Sequence, residues 1–372
     1  MNKPQAKKKI LIVNPTLDIG GIEAFIVNLA EKIDKNICSI FFLTYSNKKF
    51  DYEDRVVRGG SIIFRKQDPK EINKIKHFRQ LVVFLKDLKP DVVHSNTYFD
   101  SLYVILAAWY CSVPVRITHS HTARSKSVGV YKKLQHFIAR PFINIFTTAK
   151  VACSKDAGEA MFGNKSFRIL PNGVDEDRFI FSYKKRIEIR GKLGADKSTV
   201  VLGHVGRLNK VKNHNFILKL FNDFCSTKPN SLLLLIGEGP EKEEILKQAK
   251  ILGIENKLFI FEKETDASSY YSAMDAFIFP SIYEGLPLAL VEAQLNRLSI
   301  LASSSISKEV RFSNKVKFID LNNYSEWLNN LLKVEPRSNL KQVYRNETPF
   351  SINKSVTAVY DIYGIRGKYN EV

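Results

Sequence analysis

The chain is 372 residues long, 44% hydrophobic and 26% charged, with 18 Gly and 13 Pro. That excludes a disordered, fibrous or low-complexity protein and leaves room for two domains at roughly 100–200 residues each. Lys and Arg number 57 against 38 Asp and Glu, a net charge of +19; the excess falls on both halves and favours anionic partners: nucleic acid, acidic lipid or phosphorylated small molecules.

The basic start is followed by an apolar run of only Ile10–Val13, too short for the core of a signal peptide. From there short apolar runs alternate with longer amphipathic segments. Strands are expected at Ile10–Val13, Ser39–Thr44, Ser61–Phe64, Val92–His94, Val115–Thr118 and Lys150–Ala152, with helices near Gly21–Ile33, Pro69–Leu88, Phe99–Trp109 and Tyr131–Phe146. Runs apolar on both faces and separated by helices predict a parallel sheet covered on both sides. The longest apolar stretch, Leu102–Val113, falls short of the ~20 residues that span a bilayer. Cys38, Cys111, Cys153 and Cys225 stand far apart with no C-x-x-C, which argues for reduced thiols in a cytoplasmic protein and against a disulfide framework or zinc ribbon.

The rhythm restarts at Thr199–His204. A helix near His214–Cys225 follows, then Leu232–Ile236, Glu241–Leu252, Leu258–Phe261, Ala267–Ala273, Ala276–Phe279 and Pro287–Asn296 as strand and helix in turn. Two successive units of this kind predict an α/β protein of two Rossmann-like, doubly wound parallel-sheet domains facing a central cleft. The domains are expected at 1–174 and 175–350, the join falling in the polar stretch Asn172–Lys197, with a final helix at about 351–365 packing back on the first.

Four loops at strand ends carry the chemistry. Gly20-Gly21, with Glu23 behind it, opens the first helix; such a pair admits an anion or a substrate hydroxyl to backbone N–H groups, or merely makes a tight turn. His119-Ser120-His121-Thr122 ends the fifth run. An imidazole there can orient a substrate or meet developing charge, whereas zinc lacks an evident third ligand. Gly206-Arg207-Leu208-Asn209-Lys210-Val211-Lys212-Asn213 opens a helix, and its two cations suit a diphosphate or are simply a basic loop. In Phe279-Pro280-Ser281-Ile282-Tyr283-Glu284-Gly285-Leu286-Pro287, followed by a helix carrying Glu292, the two carboxylates can accept from sugar hydroxyls, or cap and decorate the helix.

Taken together and in order, these segments resemble a retaining glycosyltransferase of the GT-B type, family 4. The resemblance adds Pro171-Asn172-Gly173-Val174-Asp175 with Phe179, and the G-x-G-P turn Gly237–Pro240, and spans Gly20 to about Ala302. It implies acceptor binding mainly by the first domain and nucleotide-sugar binding mainly by the second. By the match, Gly20 and Gly21 pack against donor diphosphate or acceptor. Arg207 and Lys212 neutralise the diphosphate, with Gly285, Leu286 and Pro287 supplying backbone and helix-end contacts. Glu284 holds hydroxyls of the transferred sugar, while Glu292 and Gly206 meet the nucleoside. His121 is the active-site histidine, with His119 the alternative if the register shifts by two; Glu23 and Asn172 are secondary or acceptor residues.

No cofactor and no obligatory metal is expected. Asp175-Glu176-Asp177 spells D-x-D but belongs to the Asn-Gly-Val-Asp segment. The expected donor is a UDP-sugar and the acceptor a saccharide or polyprenyl-linked saccharide, in capsule or exopolysaccharide synthesis. The place of action is the cytoplasm, with contact to an anionic membrane through Lys70–Lys89 and Arg124–Arg140. Two segments depart from the family pattern, Glu262–Asp266 and Asn296–Ser299, both near the expected base pocket. A non-transferring relative such as a sugar-nucleotide 2-epimerase remains an alternative. A nucleic-acid-binding protein would use the charge, but no such motif is found.

Overall fold

A computed structural model describes residues 6–121, 130–262, 266–337 and 348–365. The chain divides into unit 1, Met1–Gly173 with Ile352–Val372, and unit 2, Val174–Ser351.

Unit 1 is built on seven strands: β1 (Lys8–Val13), β2 (Cys38–Thr44), β3 (Ile62–Arg65), β4 (Val92–Ser95), β5 (Val115–Ser120), β6 (Ala149–Ala152) and β7 (Arg168–Ile169). They lie side by side in the order β3-β2-β1-β4-β5-β6-β7, every pair parallel. The period-two alternation of a strand sends Ile10 and Ile12 into one core with Phe25, Phe42 and Val92, and Leu11 and Val13 into another with Leu81, Phe84 and Ala107. Both faces are therefore dry, as the continuous apolar runs predict.

The helix Ile352–Ile362 belongs to the first of these cores, to which it contributes Ile352, Val356, Val359 and Tyr360, with Tyr363 just beyond it. Its apolar spacing at i, i+4, i+7 makes one buried stripe. Tyr360 Oη accepts from the Asp34 N–H at 2.8 Å, and Lys8 Nζ donates to the Gly364 carbonyl at 2.9 Å.

Unit 2 is built on six strands: β8 (Val200–Val205), β9 (Ser231–Ile236), β10 (Leu258–Phe261), β11 (Ala276–Phe279), β12 (Ser299–Ser303) and β13 (Val316–Ile319), in the order β10-β9-β8-β11-β12-β13. All its pairs are parallel. Leu234 and Ile236 face one core and Leu233 and Leu235 the other. The chain enters and leaves this unit side by side: the Val174 N–H donates to the Phe350 carbonyl at 2.8 Å.

One expectation needs correction. The helix expected from Pro69 begins at Lys74, capped by Asn73, whose side chain accepts from the Ile75 N–H at 2.8 Å. Asp68 explains the delay, since its carboxylate accepts from the Lys70 N–H at 2.8 Å and folds Pro69–Glu71 into a turn. The polar stretch Asn172–Lys197 holds the boundary between the units at Gly173 and Val174, and beyond it the helix Tyr183–Lys192. Arg186 and Arg190, one turn apart, reach the buried Asp275 at 2.6 and 3.0 Å. Asp275 is 1% exposed, and Arg337 completes the cluster by donating its backbone N–H to the same carboxylate at 2.8 Å.

Strand order reverses between β1 and β4 in unit 1 and between β8 and β11 in unit 2. In open parallel sheets the crevice outside the carboxyl ends of such strands receives ligand. The four chemically marked loops follow β1, β5, β8 and β11, at or next to those two points.

Candidate active site

In unit 2 the loops after β8 and β9 interlock. The Gly206 N–H donates to the Ile236 carbonyl at 2.9 Å, and the Leu208 N–H to the Glu238 carbonyl at 2.8 Å. Gly237, at φ +143°, lies so close that a Cβ would stand 2.1 Å from the Gly206 oxygen. Only glycine fits there.

Asn213, in the left-handed region at φ 59°, then turns the chain into the helix His214–Thr227. The Ile282 N–H reaches the Val211 carbonyl at 2.9 Å, tying this loop to the one after β11. As a result Lys212 and Glu284 meet. Nζ and Oε1 are 2.6 Å apart, each side chain about 15% exposed, and the ammonium sits 4.9 Å above the Phe279 ring. Arg207, in the same loop, is exposed and has no side-chain partner among the described residues.

The helix Leu288–Leu295 starts just after Pro287, one residue later than its first-turn proline suggests. A Cβ on Gly285 would meet nothing within 4 Å, so the local fold does not require glycine there and the space before the helix is open. A free guanidinium, a lysine and an open helix N-terminus form a chemistry suited to a diphosphate.

Glu292 lies on the second turn of that helix. Its carboxylate accepts from the Tyr271 hydroxyl at 2.7 Å. Burial raises its pKa to about 7, against the pull of that hydrogen bond and of Arg178. Arg178 in turn pairs with Asp266 at 3.2 Å. Neither Tyr271 nor Arg178 was anticipated from sequence: Tyr271 sits on an element without a motif, and Arg178 lies between Asp175 and Phe179 without being one of that motif's marked residues.

In unit 1, Gly20 precedes the helix Gly21–Lys32 and its carbonyl accepts from the Ala24 N–H at 2.8 Å. A Cβ on Gly20 would lie 2.3 Å from Glu23 Oε2. Asn14 Nδ2 donates to Glu23 Oε1 at 3.2 Å, and burial raises the Glu23 pKa. Gly20, Asn14 and Glu23 therefore pack together, while Gly21 is exposed at the start of the helix.

Histidines line the other side. His94 lies within β4 and His119 within β5, both fully buried, with His94 Nε2 and His119 Nδ1 3.2 Å apart and His94 Nδ1 2.8 Å from the Tyr363 hydroxyl. His121, one residue past β5, is partly exposed, its ring 3.9 Å from that of His119. Its Nδ1 lies 3.0 Å from Asn172 Oδ1 and its Nε2 2.8 Å from Asn96 Oδ1. Burial pushes His94 down to about 3, His121 to about 4 and His119 well below the usual range, so all three rings are neutral at pH 7. Asn96 was missed from sequence, although it follows β4 at the switch point and the strand-end rule reaches it.

Among the described residues no three His, Cys, Asp or Glu side chains gather as a metal would require, and no helix is long and apolar enough to cross a membrane. Thr122, the first part of Arg124–Arg140, and 263–265 within the Glu262–Asp266 departure lie outside the described residues.

Residues 19–178 match the family described as Glycosyltransferase Family 4, and residues 185–334 that described as Glycosyl transferases group 1. EpsF of Bacillus subtilis (strain 168), which carries a provisional glycosyltransferase name, is 30% identical over 98% of this chain and 98% of its own. The chain belongs to the group 1, family 4 glycosyltransferases. The UDP-Gal:alpha-D-GlcNAc-diphosphoundecaprenol alpha-1,3-galactosyltransferase of Escherichia coli is 26% identical over 84% of this chain and 85% of its own. In fold, the family member resembles HepE of Anabaena, solved in complex with UDP and glucose, with a TM-score of 0.73 at 17% identity, covering 87% of this chain and 89% of that one. The two Rossmann-like sheets are thus the GT-B architecture.

Proposed function

We propose that this glycosyltransferase moves a hexose or N-acetylhexosamine from a UDP-sugar to a saccharide or polyprenyl-linked saccharide in the synthesis of a cell-surface polysaccharide, with retention at the anomeric carbon. It works in the cytoplasm, at the inner face of the membrane. The observation that carries the donor half is the loop cluster of unit 2: an unpartnered Arg207, Lys212 held by Glu284, and open space at Gly285 before a helix N-terminus. The acceptor half draws on relatives, among them the E. coli enzyme named for a diphosphoundecaprenol acceptor and the CapH protein of Staphylococcus aureus, named for capsular polysaccharide biosynthesis.

Arg207 and Lys212 neutralise the departing diphosphate, helped by the backbone of Gly285 and Leu286 and the helix end at Pro287. This charge stabilisation is the protein's main contribution to the barrier. Glu284 exchanges Lys212 for hydroxyls of the transferred sugar. Glu292 accepts from the ribose, with Gly206 allowing close approach. In the reaction the bond from the anomeric carbon to the phosphate oxygen breaks, and the acceptor oxygen bonds on the same face. The acceptor's proton passes to the departing phosphate, so no enzymatic nucleophile is needed, unlike a retaining glycosidase. Gly20, Gly21, Glu23 and Asn172 shape the acceptor side around His121. The two loop cations take the place of a divalent ion, and activity persists in EDTA.

Thermal melting with nucleotides is the direct test. UDP at about 100 times its dissociation constant adds ~2.7 kcal/mol of apparent stability, whereas ADP and NAD do not. Arg207→Ala or Glu292→Ala removes the shift. Glu284→Gln keeps it but lowers transfer at least ~100-fold, the signature of a contact made in the transition state. No shift with UDP or GDP would sink the donor assignment, and turnover of a UDP-sugar without acceptor would favour the epimerase reading.

A further inference from the structure

Tyr271 takes no part in the transfer described above, yet among the described residues it is the one side chain that hydrogen-bonds the Glu292 carboxylate. It lies on the helix Ser268–Ala273 and is fully buried. Its ring packs on Phe179 at 5.8 Å and on Phe277 at 5.6 Å, and its carbonyl accepts from Arg337 Nη2 at 2.9 Å. Ring and backbone are both pinned, so the hydroxyl is held at one point. That point lies 2.7 Å from Glu292 Oε2 and 3.3 Å from the Ala289 carbonyl, one turn earlier on the helix that carries Glu292.

The hydroxyl has one proton and two acceptors within reach. Burial and the adjacent Glu292 push the Tyr271 pKa well above its ordinary value, so the proton stays on the phenol. With Glu292 ionised, that proton is donated to Oε2 in a charge-assisted bond. With Glu292 protonated, the carboxyl donates from Oε2 to the phenol oxygen, and the phenol turns to the Ala289 carbonyl. Rotation of a single hydroxyl therefore satisfies both states. Oε1, in contrast, has no partner among the described residues, and Glu292 is partly exposed.

The charges around the carboxylate are few. Arg178, on the helix Glu176–Phe179, favours its ionised form and Asp266 opposes it, the two being paired with each other. Glu176 is engaged by the Ser351 hydroxyl at 2.5 Å, and Asp177 is exposed. Glu292 is the only ionisable side chain on its own helix. Burial prevails over the lowering groups, which is why this carboxyl titrates at about 7.

We propose that Tyr271 is a positioning residue for the nucleoside: it fixes one oxygen of ionised Glu292 so that the other takes the vicinal hydroxyls of a ribose, and it stabilises the protonated carboxyl when no ribose is bound. A ribonucleotide then expels the carboxyl proton to solvent on binding, because the ionised form is the stronger acceptor for its hydroxyls. This role deepens the donor reading and rests on Glu292 being its ribose contact.

The test is the affinity for UDP, measured by calorimetry from pH 6 to pH 9 on wild type and Tyr271→Phe. The phenylalanine keeps the packed ring and removes only the hydroxyl. Loss of its hydrogen bond moves the ionisation of Glu292 up by about one pH unit. The variant is expected to bind UDP about 10-fold more weakly than wild type at pH 6, about 5-fold at pH 7 and almost equally at pH 9. The ratio cancels the titration of the UDP phosphate, which both proteins meet alike. A loss of the same size at every pH would make Tyr271 a packing residue and overturn the proposal, as would equal binding throughout. Where Tyr271→Phe melts too low to titrate, Glu292→Gln carries the test: wild-type affinity relative to this variant is expected to rise about 10-fold between pH 6 and pH 8, and a constant ratio overturns the proton release. Absence of UDP binding by wild type at any pH sinks the donor reading itself, whereas binding with a flat ratio leaves that reading standing and removes only the role of Tyr271.

Discussion

At the scale of single residues, His121 poses a problem of proton count. A neutral imidazole has one N–H and one lone pair, yet Nδ1 and Nε2 each face an amide oxygen, of Asn172 and Asn96. Asn96 Nδ2 meanwhile is buried with no partner. Half a turn of the Asn96 amide settles both: Nδ2 donates to Nε2, and Nδ1–H donates to Asn172, so the ring is held neutral in one tautomer. Replacing Asn172 by Asp puts a carboxylate on that N–H and favours the imidazolium. The His121 pKa, held near 4 by burial, is then expected to rise by about 2 units, read by NMR titration, whereas Asn172→Leu gives no rise. Glu292 titrates with the opposite sign. Its native pKa of about 7 against an ordinary 4.5 means that the native state holds a proton the unfolded chain has lost. The contribution is full below pH 4.5 and disappears as pH rises through 7, roughly 3 kcal/mol in all. Denaturant unfolding of wild type against Glu292→Gln should show that difference between pH 4.5 and 8, and a flat difference would refute it. His121, Glu284 and Glu292 stood out in the sequence because they lie in motifs. Asn96 and Tyr271 did not, because their roles exist only through partners 25 and 21 residues away.

At the scale of elements, glycines separate architecture from ligand space. Gly237 combines φ +143° with a backbone oxygen 2.1 Å from any Cβ, whereas Gly285 has nothing within 4 Å. Gly237→Ala must displace the Gly206–Arg207 backbone, at a cost of several kcal/mol, since strain and overlap add. Gly285→Ala should leave stability within about 0.5 kcal/mol. Its effect falls instead on UDP binding, and paired melting curves with and without UDP check both. Elements themselves were legible in the sequence where apolar runs met both cores, as in β10 and β11, whose bounds coincide with the apolar runs. They were illegible where burial is polar or slight. The helix Tyr183–Lys192 buries arginines against Asp275, so its charge pattern imitates a solvated join. Strand β7 has two residues, both exposed, and shows no period at all.

At the scale of the whole molecule, the histidines set the response to acid. Of the 7 in the chain, burial lowers the pKa of His77, His94, His119 and His121 in unit 1, and of His204 and His214 in unit 2. Below pH 6.5 the unfolded chain takes up protons that these rings refuse, so the stability they contribute above pH 6.5 is lost as pH falls toward their native values. Each ring contributes about 1.4 kcal/mol per pH unit when fully displaced. By pH 5.5 four rings cost unit 1 up to about 6 kcal/mol, comparable with the 5–15 kcal/mol that holds a domain together. Unit 2 has two such rings, and Glu292 partly offsets them because its proton is taken up in the native state over the same interval. The units should therefore respond unequally. Calorimetry at pH 7.5 and 5.5 is expected to show one transition falling steeply with acid and indifferent to UDP, and a second that UDP raises and acid moves less. A transition that UDP raises and that falls fastest with acid would place the acid-sensitive histidines' effect in unit 2 and contradict this assignment.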